Sequence, residues 1–226
     1  MRIVCIADTH LYEEDLEMPR GDLLIHAGDM LRRGTLEELR YAAQWLGAQR
    51  YAAKVAIAGN HDWAFAREPA QARAILPADV CYLEDGEVTI DGVRIWGSPW
   101  QPEFFGWAFN LPRGEALAEV WAKIPSDVDV LVTHGPPRGY GDRTGPEGAR
   151  REGCDDLLEA LARVRPALHV FGHIHEDGGR WQLGPTTIAN VTVDEGDRAP
   201  SVFDYDPESR TVTPVHVAPG RFSGGG

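Results

Sequence analysis

The stretch GNHDW, residues 59–63, follows AAKVAIA at 52–58, a run of small and β-branched residues that is typical of a buried strand. Three polar side chains of different chemistry stand together where that strand ends. Asn60 has a fixed protonation state, His61 can change its charge near neutral pH, and Asp62 normally stays charged. One such cluster says little by itself, so its meaning depends on how the other apolar runs end.

Other apolar runs end in polar residues of the same kind. These endings are Asp8 and His10 in DTH, Asp29 in GD, His134 in TH, and His173 with His175 in GHIH. Because the carboxyl ends of strands in one sheet share an edge, side chains that are distant in sequence can converge there. Residues i and i+2 of a strand face the same side. The side chains of Asp8 and His10 should therefore point to the same place, and so should those of His173 and His175.

The chemistry of this set points to metal ions. Carboxylates and imidazoles without a thiolate suit borderline-hard divalent ions such as manganese, iron or zinc. There are more candidate ligands than one ion requires, which favours two ions that share a bridging carboxylate. Such a pair lies roughly 3.5–4 Å apart, stabilises in-line displacement at phosphorus, and lowers the pKa of a bound water toward about 7.

The opening stretch then acquires three distinct roles. Asn60 can bind a metal through its carbonyl oxygen without adding charge. His61, which faces differently, is free to protonate a departing oxygen. Asp62 is predicted to fix the tautomer of His61 and to favour its protonated form, as the carboxylate partner of a catalytic histidine does.

Composition narrows the class of protein. The chain has 226 residues, of which 43% are hydrophobic and 25% charged, and these values indicate a globular protein. A formal net charge of −13 argues against binding to long nucleic acid. The three cysteines at positions 5, 81 and 154 form no disulfide framework. The N-terminal MRIVCIADTH lacks a leader pattern, and apolar runs of membrane-spanning length are absent, so we expect a cytoplasmic protein without membrane contact.

Periodicity predicts strands alternating with helices early in the chain and hairpins later. Predicted helices cover 35–50, with a capping box of Thr35 and Glu38, 66–76, 115–124 and 154–164. Asp91-Gly92 predicts a hairpin within 87–98, and residues 135–153 carry no periodic pattern. This mixture predicts an α/β fold in which two sheets pack together with helices outside. We expect a single domain over residues 1–220, followed by a flexible tail at 221–226.

The ordered set D-x-H, GD, GNH followed by D or E, H and GHxH resembles the signature of the calcineurin-like metallophosphoesterase superfamily. Three longer stretches are similar to its MPPED branch of metallophosphoesterase-domain proteins, which is akin to class III cyclic-nucleotide phosphodiesterases. They are GSPWQPEFFGWAFNLPRG at 97–114, LVTHGPPRGYGDR at 131–143 and RPALHVFGHIHE at 165–176. The resemblance implies a four-layer α/β/β/α sandwich of two mixed sheets with helices on the outer faces.

The resemblance also implies a role for each matched residue. One metal ion would be held by Asp8, His10, Asp29 and His175. The second would be held by Asp29, Asn60, His134 and His173, with Asp29 as the bridge. His61 matches the proton donor, and a hydroxide bridging the ions would be the nucleophile. Manganese or iron is the family expectation and zinc an alternative. Some members of the branch have glycine at the first histidine of GHxH, but this chain keeps His173.

The resemblance implies a phosphodiesterase acting on small phosphodiesters, cyclic nucleotides and aryl esters among them. Two alternatives stay open at this stage. One is a different substrate within the superfamily, such as a phosphomonoester or a phosphoprotein. The other is a nucleotide-binding regulatory protein with only vestigial activity.

Several further residues have both a structural and a functional interpretation. His26, His169 and His216 fall outside the motifs, and the first two should pack in strands with hydrogen-bonded nitrogens. The aromatic residues 104, 105, 107 and 109 either pack over the sheet edge or, with Trp63, stack on a nucleobase. The arginines at 138, 143, 150 and 151 are either solvated or bind substrate phosphate. Cys154 opens a helix, where a thiol pKa can fall, but other signs of redox chemistry are missing.

Overall fold

The computed structural model of the chain describes residues 1–217. The strands are β1 (Arg2–Ile6), β2 (Leu23–Ala27), β3 (Ala53–Ile57), β4 (Val80–Tyr82), β5 (Gly86–Ile90), β6 (Val93–Ser98), β7 (Gln101–Pro102), β8 (Asn110–Leu111), β9 (Val130–Thr133), β10 (Arg143–Thr144), β11 (Arg150–Arg151), β12 (Leu168–Phe171), β13 (Gly179–Leu183), β14 (Thr186–Asn190), β15 (Ser201–Asp206) and β16 (Thr211–Val215). The α-helices are α1 (Leu36–Ala48), α2 (Trp63–Arg67), α3 (Pro69–Ile75), α4 (Glu115–Ala122) and α5 (Asp155–Val164). Short 3₁₀ helices cover Glu13–Asp15, Pro146–Gly148, His175–Asp177 and Asp194–Gly196.

Two six-stranded mixed sheets form the centre of the fold. The first has the order β16-β15-β1-β2-β3-β4, in which β1 to β4 run parallel and β15 and β16 antiparallel to their neighbours. The second has the order β13-β14-β12-β9-β6-β5, with a parallel centre and an antiparallel strand at each edge. The parallel strands of each sheet therefore deliver their carboxyl ends to one common edge.

Three apolar clusters separate four layers. The first lies between the sheets and includes Ile25 and Val55 of one sheet and Val130 of the other. The second packs α1 to α3 against the outer face of the first sheet, and the third packs α4 and α5 against the second sheet. This confirms the predicted α/β architecture of two packed mixed sheets with helices on the outer faces.

The predicted helix at 35–50 is confirmed as α1, whose N-cap Thr35 accepts a hydrogen bond from the Glu38 amide at 3.1 Å. The predicted single helix at 66–76 is wrong, because two short helices, α2 and α3, occupy this region. They meet at Glu68, which has φ −134° and precedes Pro69. A residue before proline is pushed out of helical geometry, so the chain breaks there.

The Asp91-Gly92 hairpin is confirmed between β5 and β6, with both turn residues at positive φ. The segment at 135–153 is less irregular than its sequence indicated, because β10 and β11 pair within it as a small antiparallel ribbon. The tail predicted at 221–226 lies outside the described residues. Its flexibility and the domain limit at residue 220 stay predictions.

His169 of β12 is buried, and its Nε2 lies 2.9 Å from the Thr133 hydroxyl. His26 of β2 pairs in the same way with Thr9, at 3.1 Å. The Nδ1 atoms of both histidines have no hydrogen-bond partner, so the expectation of fully bonded rings is half right. Since Thr133 donates its own proton to the Gly135 carbonyl, Nε2 of His169 must be the protonated nitrogen of a neutral ring.

This burial predicts an acid-sensitive fold. Burial lowers the pKa of His169 to about 3, whereas in the unfolded chain the value is near 6.5. The unfolded state therefore binds a proton that the native state does not bind. The free energy of unfolding falls as pH falls from about 6.5 toward 3. We expect the His169→Gln variant to reduce this loss by about 1.4 kcal/mol per pH unit in urea unfolding between pH 6 and 4. Wild type and variant should show the same pH dependence between pH 7 and 8.

Candidate metal centre

The carboxyl ends of five strands meet at one edge of the two sheets. Strands β1, β2 and β3 of the first sheet lead into Asp8 with His10, Asp29, and Asn60. Strands β9 and β12 of the second lead into His134, and into His173 with His175. Six of these residues, together with His61, form three overlapping groups, and within each group the ligand atoms lie within 4.8 Å of one another. The groups are Asp8, His10 and His175; His10, Asp29 and His61; Asp29, His134 and His173.

The predicted route to this convergence is wrong in its detail. Neither Asp8 and His10 nor His173 and His175 are strand residues whose side chains alternate. Both pairs follow the strand, and Asp8, His10 and His173 have positive φ values of 57°, 45° and 71°. His173 faces His134, with ring centroids 5.1 Å apart, whereas His175 faces His10 at 5.5 Å. Left-handed backbone turns, which are uncommon outside glycine, therefore aim these ligands.

The motif glycines allow the backbone to approach the ligands closely. A Cβ atom on Gly59 would overlap the Asp29 Oδ1 atom, and one on Gly172 would overlap the Asp8 carboxylate. The amide of His173 donates to both Asp8 oxygens at 3.0 Å, which joins the second sheet to the first. The glycines in GNHD and GHIH are thus required by the packing of the site itself.

Three histidines of the cluster, His10, His134 and His175, use Nδ1 for a hydrogen bond and turn Nε2 toward a ligand carboxylate. Nδ1 of His10 lies 2.9 Å from the Leu31 carbonyl, and Nδ1 of His134 lies 2.9 Å from the Ala27 carbonyl. Nδ1 of His175 lies 3.0 Å from an Asp194 oxygen. Because a carbonyl can only accept, His10 and His134 present an unprotonated Nε2 when neutral. Fixed tautomers of this kind are typical of metal-binding histidines.

Asp29 occupies the centre of the cluster. Its Oδ1 accepts a hydrogen bond from the His61 amide at 2.7 Å. Its Oδ2 lies 3.8 Å from Nε2 of His10 and 3.3 Å from Nε2 of His134. These two imidazoles belong to separate ligand groups, so one carboxylate oxygen faces both.

The electrostatics of the cluster favour a cation at this point. Burial opposes the charge of Asp29, yet the adjacent His134 imidazole holds the pKa of this carboxyl well below its usual range. Burial would likewise lower the pKa of His134, but Asp29 raises it to about 9. A metal ion between Asp29 and His134 would take the place of the proton that His134 otherwise binds. Burial lowers the pKa of His173 to about 3, which keeps this ring in the neutral form that binds metals.

Asn60 joins the group around His134. Its Oδ1 lies 3.0 Å from Nε2 of His134, the nitrogen that also faces Asp29. The amide oxygen can therefore share an ion with that imidazole without adding negative charge.

His61 lies at the rim of the cluster, and the carboxylate predicted to support it is not there. Nδ1 of His61 instead lies 2.8 Å from the Arg32 carbonyl. Both oxygens of Asp62 accept hydrogen bonds from backbone amides, which belong to Asp29, Met30, Leu31 and Gly59. The prediction that Asp62 fixes the tautomer of His61 is wrong, because this buried carboxylate holds together the two loops that carry Asp29 and Asn60.

Asp62 should therefore matter for stability. Burial, and after it the charge of Asp29, raises the pKa of Asp62 to about 7, while the amide donors favour its charged form. An Asp62→Asn change offers an NH₂ group to donors that need an acceptor. We expect the free energy of unfolding to fall by roughly 3 kcal/mol in urea titrations of metal-free protein. Glu119→Gln, on the exposed face of α4, should cost less than about 0.5 kcal/mol. Equal stability of the two variants would contradict this role.

A cavity of about 710 Å³ opens over the cluster. It is lined by His10, Asp29, Arg32, Arg33, Glu38, Asn60, His61, Phe104, Trp107, His173, His175 and Glu195. Sequence reasoning missed Arg32, Arg33, Glu38 and Glu195 as lining residues, and it missed Asp194 as the partner of His175. Their local sequences carry no motif, and only the fold shows that they face the ligands.

The two open interpretations of the loops resolve differently. Arg151 pairs with Asp142 at 2.6 Å, Arg138 donates to the Arg151 carbonyl, and neither lines the cavity over the cluster. In the aromatic loop Phe109 is buried as structure, while Phe104 and Trp107 line the cavity. Phe105 is 87% exposed to solvent.

Burial raises the pKa of the Cys154 thiol, so its place at the start of α5 does not activate it.

Asp194 should tune the affinity of the first ligand group. Its Oδ1 accepts the Nδ1 proton of His175, and such carboxylate partners raise the basicity of a metal-binding imidazole. We expect Asp194→Asn to weaken the binding of Mn²⁺ by about tenfold or more. Isothermal titration of the metal-free protein measures this change. Asp197→Asn, exposed on the same loop, is the matched control and should bind as wild type does.

A comparison with known families places this site in context. The sequence profile described as calcineurin-like phosphoesterase matches residues 1–177, most of the chain. The chain belongs to this family. Calcineurin-like phosphoesterases are metal-dependent hydrolases of phosphoesters, and the expected superfamily is thereby confirmed.

Relatives at higher identity agree with this assignment. The chain is 45% identical over 215 residues to the human protein named metallophosphoesterase domain-containing protein 1. The mouse protein of that name gives the same identity. The alignment covers 85% of this chain but 66% of each relative, so the chain spans slightly less than two thirds of their length.

Solved structures agree in fold. TT1561 of Thermus thermophilus superposes with a TM-score of 0.65 at 15% identity, covering 95% of this chain and 98% of that one. A dimetal phosphatase from Danio rerio superposes with a TM-score of 0.58 at 12% identity, covering 90% and 92%. At these identities the likeness concerns the fold alone.

Among the described residues, the helices are all too short or too polar to cross a membrane.

Proposed function

We propose that this calcineurin-like phosphoesterase is a phosphodiesterase with a dinuclear metal centre, acting on small phosphodiesters. The observation that carries the proposal is the position of Asp29. One of its carboxylate oxygens faces Nε2 of His10 and Nε2 of His134, which belong to separate ligand groups. A single-ion site would not need a carboxylate in this bridging position.

The residues present fit two divalent ions. Asp8, His10, Asp29 and His175 would hold the first, and Asp29, Asn60, His134 and His173 the second. The donor set of carboxylate, imidazole and amide oxygen suits manganese, iron or zinc. When bound, such a pair of ions supplies a hydroxide nucleophile at neutral pH and neutralises the charge of the phosphoryl oxygens.

The protein's own groups supply the remaining steps. His61 lines the cavity beside Asn60, and we assign it the proton that the leaving oxygen requires. Arg32 and Arg33 line the same cavity, and the Arg32 guanidinium donates to the Tyr12 hydroxyl at 3.1 Å rather than to a carboxylate. On a chain of net charge −13, two such arginines favour an anionic substrate. Phe104 and Trp107 give the cavity an apolar wall that suits an aromatic or nucleoside substituent.

A substrate panel tests this function. Manganese-loaded protein is assayed with bis(4-nitrophenyl) phosphate, 2′,3′- and 3′,5′-cyclic nucleotides, 4-nitrophenyl phosphate and nucleoside monophosphates. We expect the diesters to turn over faster than the monoesters. Faster hydrolysis of monoesters would favour a phosphomonoesterase, and tight monophosphate binding with negligible turnover would favour a regulatory protein. Either outcome would overturn the proposal.

A further inference from the structure

Trp107 stacks on the imidazole of His61. The ring centroids lie 4.3 Å apart and the planes meet at 28°. Trp107 is half-buried and lines the cavity over the cluster. Stacking of this kind restricts the neighbouring ring to one plane.

The backbone explains why these two rings meet. The Ala108 amide donates a hydrogen bond to the Asn60 carbonyl at 3.2 Å, which joins the aromatic loop to the GNHD segment. Trp107 and His61 are the neighbours of these two residues in sequence, so the bond sets their side chains face to face. Within the loop the Trp107 amide donates to the Phe104 carbonyl at 3.2 Å, which closes the turn that carries the indole.

Two other contacts fix the remaining freedom of the His61 ring. Nδ1 lies 2.8 Å from the Arg32 carbonyl, so this nitrogen carries a proton that it donates. His10 meets the ring edge-on at 4.7 Å and 76°. With one face against Trp107 and Nδ1 held by Arg32, Nε2 is the nitrogen left to serve a substrate.

We propose that Trp107 is a positioning residue for proton transfer from His61 to the leaving group. This rests on the proposed function, in which His61 is the proton donor. The oxygen of water forms a bond to phosphorus, and the water releases one proton to solvent. The bond from phosphorus to the leaving oxygen breaks, and its electron pair stays on that oxygen. The proton on Nε2 of His61 then completes the alcohol, and the ring returns to its neutral form. Trp107 itself exchanges no proton with the substrate.

Leaving groups of different basicity separate positioning from binding. Methyl 4-nitrophenyl phosphate releases a stable anion that needs little help from an acid, whereas methyl phenyl phosphate releases a more basic oxygen. For Trp107→Leu we expect kcat on the phenyl ester to fall about tenfold, and kcat on the nitrophenyl ester less than about twofold. Any change in KM should be the same for the two esters, because both place one aryl group and the same phosphoryl group in the cavity. Trp107→Phe should restore most of the lost rate, since a phenyl ring also stacks.

Phe105→Ala is the matched control from the same loop. Phe105 is 87% exposed, contacts Phe104 and does not contact His61, so this variant should match wild type on both esters. Metal content is measured in every variant and should be unchanged. The His61→Ala variant should lose more kcat on the phenyl ester than on the nitrophenyl ester. If it does so while Trp107→Leu loses kcat equally on the two esters, or loses none, only the positioning role is overturned. If His61→Ala does not discriminate, both the positioning role and the assignment of His61 are overturned.

Discussion

The Asp29→Asn variant should bind neither metal ion tightly and should lose nearly all activity. The change removes the one charge that faces both ligand groups, while its Oδ1 can still accept the hydrogen bond from the His61 amide. Changes to residues that only support metal ligands typically cost about 10- to 100-fold, so loss of a bridging ligand should cost more than about 100-fold in kcat. Metal analysis of dialysed protein, together with turnover of bis(4-nitrophenyl) phosphate, measures both effects.

A comparison with His175→Ala makes this test specific. His175 belongs only to the group of Asp8 and His10, so its loss should deplete one ion and leave the second. Glu119→Gln, a change of equal charge on the exposed face of α4, should retain both ions. If Asp29→Asn loses only one ion, Asp29 does not bridge, and the dinuclear proposal fails in its present form.

The His61→Ala variant should retain both ions and still lose most of its activity. Loss of a positioned general acid typically costs about 10²- to 10⁴-fold, and the loss should be greatest for basic leaving groups such as those of cyclic nucleotides. Steady-state kinetics on a cyclic nucleotide and on bis(4-nitrophenyl) phosphate measure the difference. In this proposal, the stacked ring of Trp107 and the Arg32 carbonyl hold the imidazole in place for proton transfer.

Depletion of metal in His61→Ala would identify a different role. One of the ligand groups contains His61 with His10 and Asp29, so a direct contribution to ion binding is the alternative that this measurement separates. An unchanged metal content with unchanged kcat would remove His61 from the mechanism altogether.

The layers of the fold follow from signals that are local in the sequence. Alternating and helical patterns predicted the strands, the outer helices and the Asp91-Gly92 turn, because these depend on neighbouring residues. The break at Glu68 was missed although its signal is also local. The helical pattern continues through Pro69, but proline disfavours helical geometry in the residue before it, so two helices meeting at Glu68 could have been predicted.

Convergence of the ligands was predictable, but its geometry was not. Motif residues at strand ends indicated a shared site, and the structure brings all seven candidate ligands together. The left-handed turns at Asp8 and His173 could not be inferred, since positive φ is uncommon even for Asp and His, which adopt it more often than most residues. The free energy that compensates for these turns comes from contacts between segments that are distant in sequence. A local sequence pattern does not contain those contacts.

The residues around the ligands were the hardest to predict. Asp62 stands beside His61 in sequence, yet its carboxylate turns inward to backbone amides of another loop. Trp107 is 46 residues away in numbering from His61 and nonetheless stacks on it. Adjacency in sequence thus suggested the wrong partner, and the correct partner required the fold.

The origin of the ligands in two different sheets has an energetic consequence. Asp8, Asn60 and their neighbours extend from one sheet, His134 and His173 from the other, and Asp29 stands between them. Binding of the cations and packing of the two sheets against each other are therefore thermodynamically linked. At a free concentration of about 100 times the dissociation constant, each ion that binds only the native state adds about 2.7 kcal/mol against unfolding. The resistance of the protein to heat should thus rise and fall with the concentration of the divalent metal ions that it binds.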